Sequence, residues 1–435
     1  MIADILRNKD VLRYLKNTIW LLSEKVLALI AALFVSVWTA RHLGPDQFGQ
    51  LSFAQSFASL FVAFAALGLI RILERDLVSS SANRQNIVST AFYLVIFGAS
   101  FAYITMSLFV KMRGYDPLFN VLILIIGLTS FLQVNAVFFS YFLSQVNAKP
   151  YVICNVIALA VSNLVKIGFI LTDAPIWLFA FGFVLDGLLL LPMLLMITFR
   201  TESQPRFGYV TATTAKSLLK NSWPYILTGV LITIYMKIDT IMIKEMMSDY
   251  AVGQYSAAVR LSEGFYYLPV TIVGSIYPAI VTAKRMSSET YLIRLSNLYS
   301  MLFYIAIVLS VSISFLAPVI IRLLYGEEYE PATKVLLIHI WASVFVFVSI
   351  GSGRWLLTEN LQILSIANTF IGVCINVALN YFLIPKYGIY GAAWATVVSY
   401  GASGYFCFAL WSRTRVNFVL MTKSMFKLPS FKSLR

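Results

Sequence analysis

The chain has 435 residues, 60% of them hydrophobic and 12% charged, with a mean hydropathy of +0.82. That is more apolar surface than one soluble core can hide, so a bilayer is the expected solvent. The net charge of +14 does not read as a nucleic-acid footprint, because the basic residues are scattered over short loops; no nucleic-acid partner is expected.

Residues 1–16 place Ile2, Ile5, Leu6, Leu12 and Leu15 at roughly helical spacing, with Arg7, Lys9, Arg13 and Lys16 between them, as a cytoplasmic interfacial segment would. The first apolar run is about twenty residues long, too long for a signal core and without a convincing small-residue cleavage site, so it is expected to remain as a membrane span. Apolar runs lie near 17–40, 48–70, 87–110, 117–143, 150–172 and 175–199, giving an N-terminal six-helix lobe over 17–199. A polar cytoplasmic connector, 200–222, leads to runs near 223–247, 252–282, 291–321, 333–357, 362–384 and 388–411, a C-terminal six-helix lobe over 223–412. Residues 413–435 read as a basic cytoplasmic tail. At about 1.5 Å per residue each run crosses a hydrocarbon core of about 30 Å. The expected fold is an all-α polytopic membrane protein of about 12 transmembrane helices.

The two lobes read as a duplication. Leu15-Lys16-Asn17-Thr18 returns 204 positions later as Leu219-Lys220-Asn221-Ser222, and Gly49-Gln50-Leu51-Ser52 returns at the same offset as Gly253-Gln254-Tyr255-Ser256. Asn155 and Asn163 are echoed by Asn368 and Asn376, at an offset of 213. With the N-terminus inside, alternate loops hold 22 Lys and Arg against 7 on the other side, so both termini are expected in the cytoplasm. A repeat displaced by six spans keeps its orientation, which makes the lobes parallel repeats.

Four cations, Lys25, Lys166, Lys237 and Arg260, and four acids, Glu24, Asp186, Asp239 and Glu263, fall inside the spans. Each is costly against lipid and is expected to face protein or a wet cavity. The second span carries Ser52, Gln55, Ser56 and Ser59 on one helical face; under the 204 offset Ser52, Ser56 and Ser59 map to Ser256, Arg260 and Glu263. Similar stripes run through Ser365, Asn368, Gly372, Asn376 and Asn380, and through Asn155, Ser162, Asn163 and Lys166. A water-accessible cleft between two six-helix bundles accounts for these stripes; helix-packing seams of small polar residues account for them too. Lys25, about 12 Å deep from the cytoplasmic end, and Arg260, at a similar depth from the opposite end, suit an anion handed across, guanidinium being a bidentate phosphate ligand. The structural alternative pairs Arg260 with Glu263 and Lys25 with Glu24. The acids are candidates for coupling to H+ or Na+.

Signs of catalysis are lacking. Cys154, Cys374 and Cys407 lie in apolar runs without metal-ligand spacing, and His42 and His339 have no partner nearby in sequence, so no metal site, catalytic residue or cofactor is expected. No Gly-rich phosphate loop for ATP is present in the sequence, and the external loops are short.

The opening Leu-Lys-Asn-Thr, the turn Arg41-His42-Leu43-Gly44-Pro45-Asp46-Gln47-Phe48-Gly49, the second-half Gln254-Tyr255-Ser256-Ala257-Ala258 and the late Lys386-Tyr387-Gly388-Ile389-Tyr390-Gly391-Ala392-Ala393 resemble the polysaccharide-synthesis flippases. These are the O-antigen (Wzx-type) transporters of the multidrug/oligosaccharidyl-lipid/polysaccharide (MOP) superfamily, and the resemblance covers essentially the whole chain. It implies a MATE-like arrangement of the two lobes in the bacterial inner membrane. The implied activity is transfer of undecaprenyl-pyrophosphate-linked oligosaccharide between leaflets by alternating access, among membrane lipids and other polysaccharide-assembly proteins. Related lipid flippases use intramembrane cations early in the first lobe and in the eighth span, where Lys25 and Arg260 fall. Ser56 stands where a further cation belongs, so Lys166 or Lys237 is expected to supply that charge. Under this reading the pyrophosphate docks on Lys25 and Arg260, and sugars occupy a cleft lined by Ser52, Ser56, Ser59, Asn163, Ser256, Asn368, Asn376 and Asn380. The alternatives are an ion-coupled multidrug exporter, which calls for a mainly acidic cleft, and a membrane enzyme acting on lipid-linked sugars.

Overall fold

A computed structural model describes residues 9–79, 83–199 and 210–429; residues 1–8 of the interfacial segment, 200–209 of the connector and 430–435 of the tail lie outside the described residues. The described residues contain helices and turns and no strands. The first helix, α1 (Lys9–Ala65), carries the interfacial segment into the first span without a break before Gly44. There the backbone takes φ 69° and ψ 171°, a conformation open to glycine, and Pro45 follows. The turn motif of the sequence is thus a single kink.

After α1 come α2 (Leu69–Ser79), α3 (Arg84–Arg113), α4 (Pro117–Gly127), α5 (Thr129–Leu132), α6 (Asn135–Ser144), α7 (Lys149–Leu171) and α8 (Ile176–Phe199). The second half holds α9 (Ala212–Met246), α10 (Asp249–Gly264), α11 (Tyr267–Met286), α12 (Ser288–Leu324), α13 (Glu330–His339), α14 (Ala342–Thr358), α15 (Gln362–Tyr387), α16 (Ile389–Gly401), α17 (Cys407–Leu410) and α18 (Arg415–Met425). Helix begins at Ala212, within the expected connector 200–222. Asn86 on α3 donates to Thr211 and Thr214 there, at 3.0 and 3.2 Å.

Among the described residues nine helices are long and apolar enough to cross a membrane, and a tenth crossing is the bent pair Glu327–His339 and Ala342–Thr358. One of the nine, Asn17–Ser79, has 63 residues and is turned at Gly44. At about 1.5 Å per residue it exceeds the roughly 30 Å core about threefold, so it makes two crossings. A further helical stretch runs from Ile389 to Leu410. Phe97, Phe101, Ile104 and Leu108 form a bare apolar stripe on α3, 58% to 70% exposed, as a lipid-facing surface does.

Two compact units divide the chain: residues up to His42 with Phe53–Thr233, and Leu43–Ser52 with Ile234 onward. The first unit has a core of Leu69, Leu73, Val88, Ala91, Phe138, Leu190 and Leu194. The second is built on the 37-residue α12, whose Tyr299 and Leu302 pack with Phe347, Trp355, Phe408 and Met421. Lipid supplies little hydrophobic drive between helices, so polar side chains do much of the joining. Thus α18, in the expected tail, is fastened to α12 by Tyr299 donating to Asn417 at 2.8 Å and Ser300 donating to the Ser424 carbonyl at 2.7 Å.

Candidate functional site

The duplicated Gly-Gln-x-Ser motif meets itself in the second unit. A Cβ on Gly49 would overlap the carbonyl of Asp249, and one on Gly253 would overlap the carbonyl of Pro45. Pro45 and Asp249 are themselves 204 positions apart, so the contact is reciprocal: each copy offers a glycine to the residue four positions earlier in the other. The copies differ in their glutamines. Gln254 is fully buried, donating to the Glu328 carbonyl at 2.7 Å and accepting from the Ala332 amide at 3.1 Å, whereas Gln50 is half-buried. Gln254→Ala is expected to lower stability by about 1–3 kcal/mol by orphaning those groups. Gln50→Ala should stay within about 0.5 kcal/mol. Melting of the two purified variants checks this, and equal shifts would contradict it.

Two turns beyond the crossing lies Arg260. Its guanidinium stands 4.7 Å from the centre of the Phe48 ring and donates through Nη2 to the Ser52 hydroxyl at 3.3 Å. Tyr325, Glu263 and Tyr329 are the groups that act on its charge. Tyr325 is buried, and its hydroxyl makes no hydrogen bond among the described residues. Ser56 and Ser256 are buried as well, and Ser59 turns its hydroxyl back to the Ser56 carbonyl at 2.6 Å.

Asp239, on α9, is enclosed at 4% exposure. Tyr255 donates to it at 2.8 Å, and Asn380 and Thr396 also donate to its carboxylate. Asn380 reaches Asn376 at 3.1 Å, and Asn376 reaches Ser399 at 3.4 Å, so this network ties α9, α10, α15 and α16 within the unit. Asn368 accepts from the Trp411 indole at 2.9 Å. The carboxylate of Glu263 lies 3.9 Å from the Lys237 ammonium.

In the first unit Glu24 accepts from Asn155 at 2.7 Å and is buried, while Lys25 is exposed among Val26, Leu27 and Ile30. Lys166 and Asp186 are electrostatic neighbours, and a Cβ on Gly182 would meet the Lys166 stem at 3.1 Å. One Asp186 oxygen is buried without a hydrogen bond among the described residues, and Asn163 is half-buried. His42 faces Asp173 at 3.7 Å, and His339 is buried against the Ser262 hydroxyl at 2.7 Å. Among the described residues no group of three or more His, Cys, Asp or Glu could hold a metal ion.

Sequence reasoning missed a cluster of tyrosines in the second unit. Tyr235 on α9 and Tyr400 on α16 have ring centres 4.6 Å apart at 71°, and Tyr266 lies 6.5 Å from Tyr400. Tyr235 shares a hydrogen bond of 2.9 Å with Ser403. A signal was present: Gly264 and Pro269 bracket Phe265-Tyr266-Tyr267-Leu268 within one predicted span, which is the pattern of an interrupted span.

Long apolar helices and ionisable groups enclosed among them define, over the described residues, a multi-pass membrane protein. Residues 14–284 match the polysaccharide biosynthesis protein family, and the chain belongs to that family. It is 25% identical over 190 residues to a probable low-salt glycan biosynthesis flippase, Agl15, of Haloferax volcanii, covering 43% of this chain and 40% of that one. It is 22% identical over 183 residues to a putative O-antigen transporter of Shigella dysenteriae, covering 42% of this chain and 44% of that one. These matches span under half of the relatives' length. The fold is similar to that of the lipid II flippase MurJ in an inward closed conformation, with a TM-score of 0.70 and 16% identity over 94% of this chain and 88% of that one. It is equally similar to an inward-facing multidrug resistance MATE family transporter of the MOP superfamily, with a TM-score of 0.71 and 14% identity over 91% of this chain and 96% of that one.

Proposed function

We propose that this chain is a flippase that moves undecaprenyl-pyrophosphate-linked oligosaccharide across the bacterial inner membrane by alternating access, with both termini in the cytoplasm. The observation that carries the reading is Arg260, a guanidinium held among Phe48, Ser52 and two tyrosines inside the spans. A guanidinium binds phosphate bidentately, and an aromatic face, a hydroxyl and the charge of Glu263 surround this one inside the spans. The family and the names of the glycan flippase and O-antigen transporter relatives support the substrate class. Lys25, Lys166 and Lys237 are the further cations proposed for the pyrophosphate, and no catalytic step is needed. Asp239 is proposed to couple transport to H+ or Na+, because its carboxylate is enclosed by oxygen- and amide-bearing side chains. Glu24, Asp186 and Glu263 are secondary candidates.

The first experiment deletes the gene and extracts the lipids. Accumulation of lipid-linked single repeats with loss of surface polysaccharide is the expected result. Intact polysaccharide with increased drug sensitivity would transfer the protein to the exporter reading. In the complemented strain, Arg260→Ala should lower export to the level of the deletion; export retained at normal protein abundance would reject the phosphate role.

A further inference from the structure

Two departures from regular α-helix meet at the tyrosine cluster. The span Asp249–Met286 is interrupted about halfway, where α10 ends at Gly264 and α11 begins at Tyr267. Between α16 and α17 the chain makes a π-turn over Ala402–Phe406. Irregular backbone at membrane depth is tolerated where protein or a wet cavity satisfies the freed groups, and broken helices and π-turns collect at ligand sites. Tyr266 lies in the first interruption and Ser403 in the second, and Tyr235 and Tyr400 bridge them. A Cβ on Gly264 would meet nothing within 4 Å, so the break opens on free space. The hydroxyl of Tyr266 is shielded from solvent and has no hydrogen-bond partner among the described residues. A buried donor left in that condition is destabilising unless a ligand completes it. Beside the cluster stand Lys237 and Glu263, 3.9 Å apart and partly exposed.

We propose that Tyr235, Tyr266 and Tyr400, with Lys237 and Glu263, form a sugar-binding subsite; this rests on the flippase reading above. Tyrosine rings offer flat apolar faces for the C–H face of a pyranose, and each carries a polar handle at its tip. Around the sugar's rim, the Tyr266 hydroxyl, the Glu263 carboxylate and the Lys237 ammonium supply both donors and acceptors. Lys237 and Arg260 stand against Glu263 and Asp239 around the cluster, which leaves it close to neutral and fits an uncharged polyol. An aromatic box for an organic cation would instead hold a carboxylate without a counter-charge.

The test uses the full chain in lipid nanodiscs and two probes. One is undecaprenyl pyrophosphate; the other is the undecaprenyl-pyrophosphate-linked oligosaccharide extracted from a strain lacking this chain. Tyr266→Phe removes only the unpartnered hydroxyl and is expected to leave folding and abundance unchanged, while Tyr400→Leu removes a stacking face. Each should weaken binding of the glycosylated lipid by about tenfold and leave the sugar-free lipid unaffected, whereas Arg260→Ala should weaken both. Binding of the glycosylated lipid unchanged in both tyrosine variants, or equal losses for the two lipids, overturns the subsite and leaves the flippase reading standing. An ethidium site destroyed by Tyr400→Leu, without any sugar-dependent difference, overturns it in favour of an organic cation. If the deletion strain accumulates no glycosylated lipid, the flippase reading falls and the subsite falls with it.

Discussion

Asp239→Leu is expected to be among the most destabilising single substitutions in the chain. Three side chains from three other helices, Tyr255, Asn380 and Thr396, direct donors at this carboxylate in an enclosed setting. Removing the acceptor takes a bond from each of them, and a hydrogen bond to a charged group contributes about 1.5–3 kcal/mol. Asp239→Asn keeps the shape but turns an amide against the donors, so an intermediate loss is expected. Tyr255→Phe deletes the hydroxyl's bonds to Asp239 and Thr396 and should cost about 1–3 kcal/mol. Thermal unfolding of the purified variants decides the matter. A midpoint for Asp239→Leu within a degree of the unaltered chain would mean that the network contributes nothing to the unit.

The second large effect is steric. At Gly49 and Gly253 any side chain, alanine included, must displace a backbone carbonyl of the other motif copy, and a carbonyl inside a helix turn has little room to yield. Overpacking costs about 1–3 kcal/mol where surroundings can shift, and a backbone obstacle places both sites at or above the upper end. Gly253→Val and Gly49→Val are therefore expected to reduce abundance and melting temperature sharply. Gly274→Ala is the control, because a Cβ there meets nothing within 4 Å. In the middle of α11 that change should stabilise by about 0.5–1 kcal/mol through helix propensity. Comparable losses at all three positions would show that close approach does not set the effects at Gly49 and Gly253.

The span pattern was legible because lipid demands long apolar runs, and these survive any detail of packing. The duplication was legible for a similar reason: Gly49 and Gly253 are held by backbone contact, so the motif around them resists change. The kink at Gly44-Pro45 was marked by its two residues. What the sequence hid is partnership across distance. Asp239 was visible as an intramembrane acid, but Thr396 and Asn380 lie 157 and 141 residues away, and nothing local joins them. Lys237 and Glu263 were each picked out, yet their approach depends on how α9 and α10 pack. The tyrosines escaped because an aromatic residue in an apolar run looks like core until its hydroxyl is traced.

The reciprocal glycine contact also bears on ancestry. A surface in which residue i of one copy touches residue j of the other, while j touches i, is the signature of an isologous pairing between identical subunits. A half-length, six-span precursor with the Gly-Gln-x-Ser motif would have carried both sides of this joint on one surface, and two copies could have met before their genes were fused. Fusion then freed each copy to specialise around a fixed contact. Arg260 and Glu263 in one half, against Ser56 and Ser59 in the other, show how far the two copies differ.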